Sequence, residues 1–218
     1  MAEAIRTLAG VTADTFRHLQ LGAGALLVDF DYGNITTPQA FREAFSGALR
    51  GGQSLGGTSG GIGIDITPEF RKIEIDGANV PFKGDSVIDT WTCQMSTTLK
   101  EFTPTILQAA FPTSEFAEIG DAITAMRIRT GIGESDYYEN ITWVATTQYG
   151  WIMVCMFNAL GRTTGAISSE DKGEGDIPFE VVGHIEDFDD IDFAPCEIWL
   201  VDNVGGIIRQ NVGTGGTG

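Results

Sequence analysis

The chain has 218 residues, of which 42% are hydrophobic and 20% charged, a balance typical of a globular protein long enough to bury a core. Its 13 basic and 30 acidic residues give a net charge of −17. That charge argues against a nucleic-acid-binding role, because such binding depends on Lys and Arg contacts to phosphate. The sequence shows no apolar core of a signal peptide and no run of the roughly 20 apolar residues that a membrane span needs. We therefore expect a protein made in a reducing cytoplasm.

The first hundred residues begin with a segment of no regular pattern and then alternate between strand and helix. Residues 1–21 have isolated apolar side chains and are predicted to be a fraying helix or an arm that docks elsewhere. Residues 25–31 predict a strand. Thr37 is a suitable N-cap and Pro38 a suitable first residue for a helix over about 37–50. One face of this helix is apolar and is formed by Phe41, Ala44, Phe45, Ala48 and Leu49.

The glycine-rich segment 51–61 follows the helix and carries too few apolar residues to build a core of its own. Strands are predicted at 62–67 and 70–75, and Asp76-Gly77 is a typical hairpin turn. Residues 86–102 then alternate in character for about sixteen positions, well beyond the usual strand of roughly five or six residues. A strand this long outruns a small sandwich unless strands of another chain also pair with it.

The two faces of the long strand differ in chemistry. One face is mostly apolar and is predicted to enter the core; it carries Val87, Trp91, Cys93, Met95 and Leu99. The other face is rich in hydroxyl and amide groups, from Ser86, Thr90, Thr92, Gln94, Ser96 and Thr98, with Ile88 its one apolar residue. Solvated strand faces usually carry Lys and Glu instead. An ordinary β-domain with a threonine-rich outer face is the alternative interpretation.

The second half of the chain predicts a short helix and several further strands. Thr103 and Pro104 begin a helix over about 103–110. Strands are predicted at 123–129, 141–147, 151–157, 177–185 and 198–201, and the glycine-rich end, about 203–218, is predicted to be flexible. Strand 151–157 is apolar on both faces, so both must be covered: one by helix 37–50, the other by a second sheet or a neighbouring chain. The whole pattern predicts a single, mainly β domain, a sandwich or barrel with flanking helices.

No motif in the sequence points to catalysis. His18 and His184 lack the spacing of a metal site, and no nucleophile, phosphate-binding or zinc-protease motif is present. The acidic run 186–192 lacks the register of a calcium loop and is predicted to be solvated, with weak cation binding left open. The cysteines, Cys93, Cys155 and Cys196, are odd in number, have no CxxC spacing and lie in apolar runs. They are predicted to be buried small hydrophobic residues. We expect neither an enzyme nor a cofactor.

Four segments, in order, resemble the major tail proteins of long-tailed bacteriophages. They are FRHLQLGAGALLVDFDY (16–32), IDGANVPFKGDSVIDTW (75–91), TLKEFTP (98–104) and DKGEGDIPFEVVGH (171–184). The resemblance extends over about residues 16–201. It implies a tail-tube type of β-sandwich or barrel, whose copies form rings, usually of six, that stack into the tube through which the genome leaves the virion.

The resemblance also implies partners and surfaces. The partners are further copies of the chain and other tail proteins such as the tape measure and the tail terminator, in a tail assembled in the host cytoplasm. DNA would pass without specific binding. Thr90, Thr92, Gln94, Ser96 and Thr98 are predicted to face the lumen. Phe16, Leu19 and Leu55 are predicted to contact neighbouring subunits, with the arm and segment 51–61 ordered only on stacking. The alternative function is a monomeric β-sandwich that binds a carbohydrate or a receptor.

Overall fold

The chain folds mainly into β-strands. The computed structural model describes residues 20–74, 80, 82–119, 123–165, 167–168, 174–186, 192–202 and 206–209. The strands in this part are β1 (Gln20–Val28), β2 (Thr58–Lys72), β3 (Ser86–Leu99), β4 (Ser114–Glu118), β5 (Thr124–Ile128), β6 (Tyr138–Thr147), β7 (Gly150–Thr163), β8 (Ile177–Val182), β9 (Cys196–Asp202) and β10 (Gly206–Arg209). The helices are α1 (Pro38–Arg50) and α2 (Pro104–Ala110), with a short 3-10 turn at Glu134–Asp136. The predicted mainly β fold with two helices is confirmed.

Two antiparallel sheets share the long strand β7. The first sheet has the order β1-β6-β7-β9-β10, and the second has the order β7-β8-β3-β2. On one edge β7 pairs with β6 from Trp151 to Ala159. On its other edge it pairs first with β9 and then, from Leu160, with β8. The strand passes from one sheet to the other near Asn158, whose φ of +43° bends the backbone there.

The two sheets also meet at their opposite side, near the glycine-rich segment. Ser54 forms a bridge with Leu27 of β1, and the Leu55 amide donates to the Leu26 carbonyl at 2.9 Å. This segment leads directly into β2, so the chain connects the edge of the first sheet to the edge of the second. The result is a sandwich whose two sheets are joined by β7 on one side and by this segment on the other, with the main core between them.

Helix α1 lies where its local sequence signals predict it. The Thr37 hydroxyl accepts from the Ala40 amide at 3.1 Å, and Pro38 occupies the first turn, where its missing N–H costs no hydrogen bond. The helix covers the outer face of the first sheet, with the Phe41 ring 5.6 Å from Trp151. Of the predicted apolar face, Leu49 is exposed, because it lies at the edge of this contact.

Both faces of β7 are covered within the chain. Met153 packs under α1 in the smaller core, while Val154 and Met156 point into the main core between the sheets. The inference that this doubly apolar strand needs cover on both faces is therefore confirmed. The cover on the second face is a second sheet of the same chain, so this strand does not require a neighbouring chain.

Several element boundaries differ from the sequence expectation. The predicted strands 62–67 and 70–75 are one strand, β2, which continues through Pro68 because it is an edge strand and that position needs no N–H donor. Gly60 and Gly61, both at φ +79°, form an irregularity in β2 that only glycine adopts without strain. The sequence pattern did not predict β4 or β10. The turn at 76–77, and the C-terminal residues 203–205 and 210–218, lie outside the described residues.

Candidate assembly surface

Half of the β2–β3 hairpin extends beyond the sandwich. Strand β8 pairs with β3 only from Gln94 to Leu99, whereas β3 begins at Ser86. Cys93 is bonded to Gly183, just after β8. The seven residues 86–92 therefore have only β2 beside them, a length of about 24 Å at ~3.4 Å per residue. We call this two-stranded part, residues 67–74, 80 and 82–92, the ribbon. In the described residues no strand lies along the outer edge of β2 or along the outer edge of residues 86–92 of β3.

The ribbon exposes large apolar side chains. They are, with their exposed fractions, Phe70 (64%), Ile73 (42%), Val80 (60%), Phe82 (56%), Ile88 (47%) and Trp91 (41%). Phe70 is the cross-strand partner of Ile88, and Trp91 is the partner of Pro68 on the other face. Apolar groups thus lie on both faces of a strand pair whose edges are also open. Such surfaces are typical of interaction sites.

Trp91 corrects the sequence expectation for the apolar face of β3. Cys93, Met95 and Leu99 point into the core as predicted, with at most 1% exposed. Trp91 follows the same alternation, but it lies on the ribbon, where no second layer covers it. Alternation predicted the correct face of β3 for Trp91. Its side chain is exposed because no other part of the described structure packs on that face of the ribbon.

Polar contacts fix the register of the ribbon. Arg71 Nε donates to Asp89 Oδ2 across the strands at 2.9 Å. At the turn, Asp85 accepts from the Ser86 hydroxyl at 2.9 Å and from the Phe82 amide at 3.2 Å. The hydrogen bond from Ser86, with smaller contributions from Phe82 and Lys72, lowers the pKa of Asp85 below its usual value. These pairs are exposed and contribute little to stability, so the ribbon depends on backbone pairing and on its continuity with the sandwich.

The five residues predicted to face a lumen share the outer face of β3. Thr90, Thr92 and Ser96 are exposed, and Gln94 and Thr98 are half-buried. They lie opposite the buried Cys93, Met95 and Leu99, as the alternation predicts. The structure thus places them together on one outer face, and their position at a lumen stays a prediction.

Neighbouring strands make this outer face more acidic than β3 alone indicates. Asp65 is the cross-strand partner of Gln94, Glu69 of Thr90, and Glu180 of Ser96. Arg162 pairs with Glu180. Sequence reasoning on one strand missed these carboxylates because the register between strands depends on the fold.

The predicted inter-subunit contact at Leu55 is wrong. Leu55 is fully buried in the main core and its amide is bonded to β1. Gln53 Nε2 also donates to the Asp29 carbonyl at 2.7 Å, and the Gly57 amide donates to Glu101 Oε1 at 2.7 Å. The glycine-rich segment is therefore docked on its own subunit, and the expectation that it orders only on stacking is wrong as well. Phe16 and Leu19 lie outside the described residues.

The remaining candidate groups have structural contacts. The Asn158 carbonyl lies 3.2 Å from His184 Nδ1, and the Tyr137 ring packs edge-on against the imidazole at 5.3 Å. These contacts agree with the structural role predicted for His184; His18 lies outside the described residues. Among the described residues no three His, Cys, Asp or Glu side chains are grouped to hold a metal ion. Residues 187–191 of the acidic run are not among them.

No protein-family model matches the chain, and no curated protein is significantly similar to it. Within the described residues, none of the helices has the length and apolar character needed to span a bilayer.

Proposed function

We propose that this chain is a structural protein that assembles with copies of itself into stacked rings, forming the tube of a bacteriophage tail through which DNA passes. The observation that carries the proposal is the ribbon. It combines open strand edges with six exposed large apolar side chains. In an isolated subunit these features are unfavourable, because apolar surface stays hydrated and a two-stranded hairpin alone is marginally stable.

A second copy of the chain is the occupant that fits the ribbon. Each copy carries both a projecting strand pair and the open outer edge of β2, so one copy can offer backbone donors and acceptors to another. Contacts between identical chains repeat around a ring or along a stack until the symmetry closes. The resemblance to tail proteins supports rings of six. It also supports tape-measure and tail-terminator proteins as further partners in a virion tail assembled in the host cytoplasm.

The outer face of β3 suits the lining of a DNA conduit. Hydroxyl and amide groups occupy alternate positions along the strand, and the carboxylates of Asp65 and Glu69 lie beside them. Carboxylates repel phosphate, so such a wall lacks the attraction by which basic surfaces bind DNA. The net charge of −17 has the same effect on a larger scale. The proposal assigns the chain no catalytic role and no cofactor.

A monomeric binding module is the second candidate. One observation favours it: an open groove of about 590 Å³ beside the bend of β7, whose lining includes Phe157, His184, Phe193 and the carboxylates of Glu139 and Glu186. A groove with aromatic and polar groups is the kind of surface that holds a small ligand. In that case the protein would remain a monomer.

Electron microscopy of the purified protein, combined with sedimentation velocity, separates the two candidates. The proposal predicts rings or tubes of uniform diameter and a species much larger than the 23.3 kDa chain. A protein that stays monomeric at all concentrations and salt conditions contradicts the proposal and favours the binding module.

A further inference from the structure

Two of the three cysteines are in direct contact although they are 103 residues apart in sequence. Cys93 lies on β3 of the second sheet and Cys196 at the start of β9 in the first sheet, and their sulfur atoms are 3.2 Å apart. Both are free thiols. A disulfide bond requires a sulfur separation of about 2.05 Å, so a relative approach of about 1.1 Å would close it.

Gly183 lies between the backbones of the two cysteines. Its amide donates to the Cys93 carbonyl at 3.0 Å. On its other side a side chain is excluded, because a Cβ at Gly183 would lie 2.5 Å from the Pro195 carbonyl oxygen. Pro195 directly precedes Cys196 and accepts from the Phe157 amide at 3.0 Å. The thiols therefore face each other from fixed backbone, and little conformational freedom remains to be lost when they join.

We propose that Cys93 and Cys196 are a thiol–disulfide exchange site, at which a low-molecular-weight disulfide such as oxidised glutathione converts them to an intrachain disulfide. Cys196 is partly exposed and is the sulfur that the reagent reaches first. Access selects Cys196 as the first nucleophile, although the hydrogen bond with Cys93 raises the pKa of the Cys196 thiol. Its thiolate attacks one sulfur of the reagent, which releases one glutathione thiol and leaves a mixed disulfide. The Cys93 thiolate then attacks the Cys196 sulfur and expels the second glutathione thiol. The two protein thiols are oxidised, one reagent disulfide is reduced, and the two protons lost by the protein thiols are taken up by the two departing glutathione sulfurs.

The bond would join the two sheets of the sandwich. Under reducing conditions the thiols stay free, and in an oxidising compartment, where small disulfides persist, the bond forms. A link across so many residues restricts the unfolded chain strongly, so it stabilises the folded subunit. This inference does not depend on the proposed function, because it concerns only the fold of one subunit.

Cys155 is the internal control. It lies on the α1 side of the first sheet, where its thiol contacts Tyr32 and Thr142, and burial raises its pKa to about 11. It is fully buried and has neither access to the reagent nor a thiol at bonding distance among the described contacts. We expect Cys155 to stay reduced under conditions that oxidise the other two.

The test treats the native protein with excess oxidised glutathione and then alkylates the remaining thiols in denaturant. Peptide mapping should find a linked Cys93–Cys196 peptide, alkylated Cys155 and a protein mass lower by two hydrogens. Thermal melting should rise by roughly 4–16 °C on oxidation, and dithiothreitol should reverse it. Cys196→Ala should give no such rise, whereas Cys155→Ala should keep it.

The peptide map of the unaltered protein tests for the Cys93–Cys196 disulfide even if a variant folds poorly. A stable glutathione adduct on Cys196 without the linked peptide would overturn the proposal, as would linkage through Cys155. Three free thiols after prolonged treatment would overturn it too.

Discussion

The two halves of the β2–β3 hairpin have the same pairing and the same alternation but different surroundings. In the inner half, residues 93–99 of β3 have β2 on one edge and β8 or the following Gly183 on the other, and their apolar side chains enter the main core. In the ribbon, residues 86–92 have β2 alone, and Ile88 and Trp91 remain exposed. Alternation therefore decides which face of the strand a side chain occupies. Whether a second layer of the fold packs on that face decides whether the side chain is shielded from solvent.

The two halves of the hairpin therefore have different roles. The inner half contributes apolar burial and stabilises the sandwich. The ribbon contributes little to the stability of the isolated subunit, since its large apolar side chains remain 41–64% exposed there. Its apolar groups are instead available to another molecule, and in the proposed tube that molecule is another copy of the chain.

Two matched truncations on β3 should separate the contributions of its inner half and of the ribbon to the free energy of unfolding. Met95→Ala removes a side chain that is 1% exposed in the main core, so it should lower the free energy of unfolding by about 2–5 kcal/mol. Ile88→Ala on the ribbon should change it by no more than about 0.5 kcal/mol. Urea denaturation of the unassembled subunit measures both values. Equal losses would mean that the ribbon is packed against the rest of the subunit.

A positive charge introduced on the outer face of β3 should change how strongly the proposed tube retains DNA. This change should be smaller than the effects above and should depend on the salt concentration. In the proposed tube, Thr92→Lys places one lysine per subunit toward the DNA path, and each phosphate neutralised steepens the salt dependence of binding by about 0.9 in log–log slope. We expect tubes of normal appearance that retain DNA at low salt and release it at high salt. Thr92→Gln is the matched neutral control. Equal DNA retention by the two variants would place Thr92 away from the lumen.

The features that the sequence predicted correctly are those that depend on residues close together in the chain. Both helices begin where Thr37-Pro38 and Thr103-Pro104 predict them, because capping involves residues only a few positions apart. The polar and apolar faces of β3 also follow from alternation alone. The sheet order and the bend of β7 near Asn158 required the structure, because they depend on contacts between distant residues.

Misassigned residues show the same limit of local patterns. Leu55 is an isolated apolar residue in a glycine-rich segment and was predicted to contact a neighbouring subunit. It is instead buried in the core, where its amide donates to β1. Trp91 has the period of a core residue but lies beyond the point where β8 stops pairing. The contact between Cys93 and Cys196 brings together residues 103 positions apart, and no sequence spacing signals it.

The most direct measurement compares the unaltered chain with a ribbon variant in which Phe82 and Trp91, two of its exposed apolar side chains outside the proposed lumen face, are both replaced by Ser. Lys83→Ser, an exposed change on the same hairpin, is the control. The account predicts that all three proteins have the same circular dichroism, and that the double variant alone sediments as a 23.3 kDa monomer while the other two form rings or tubes. Assembly of the double variant into normal tubes, or a monomeric unaltered chain, would contradict it.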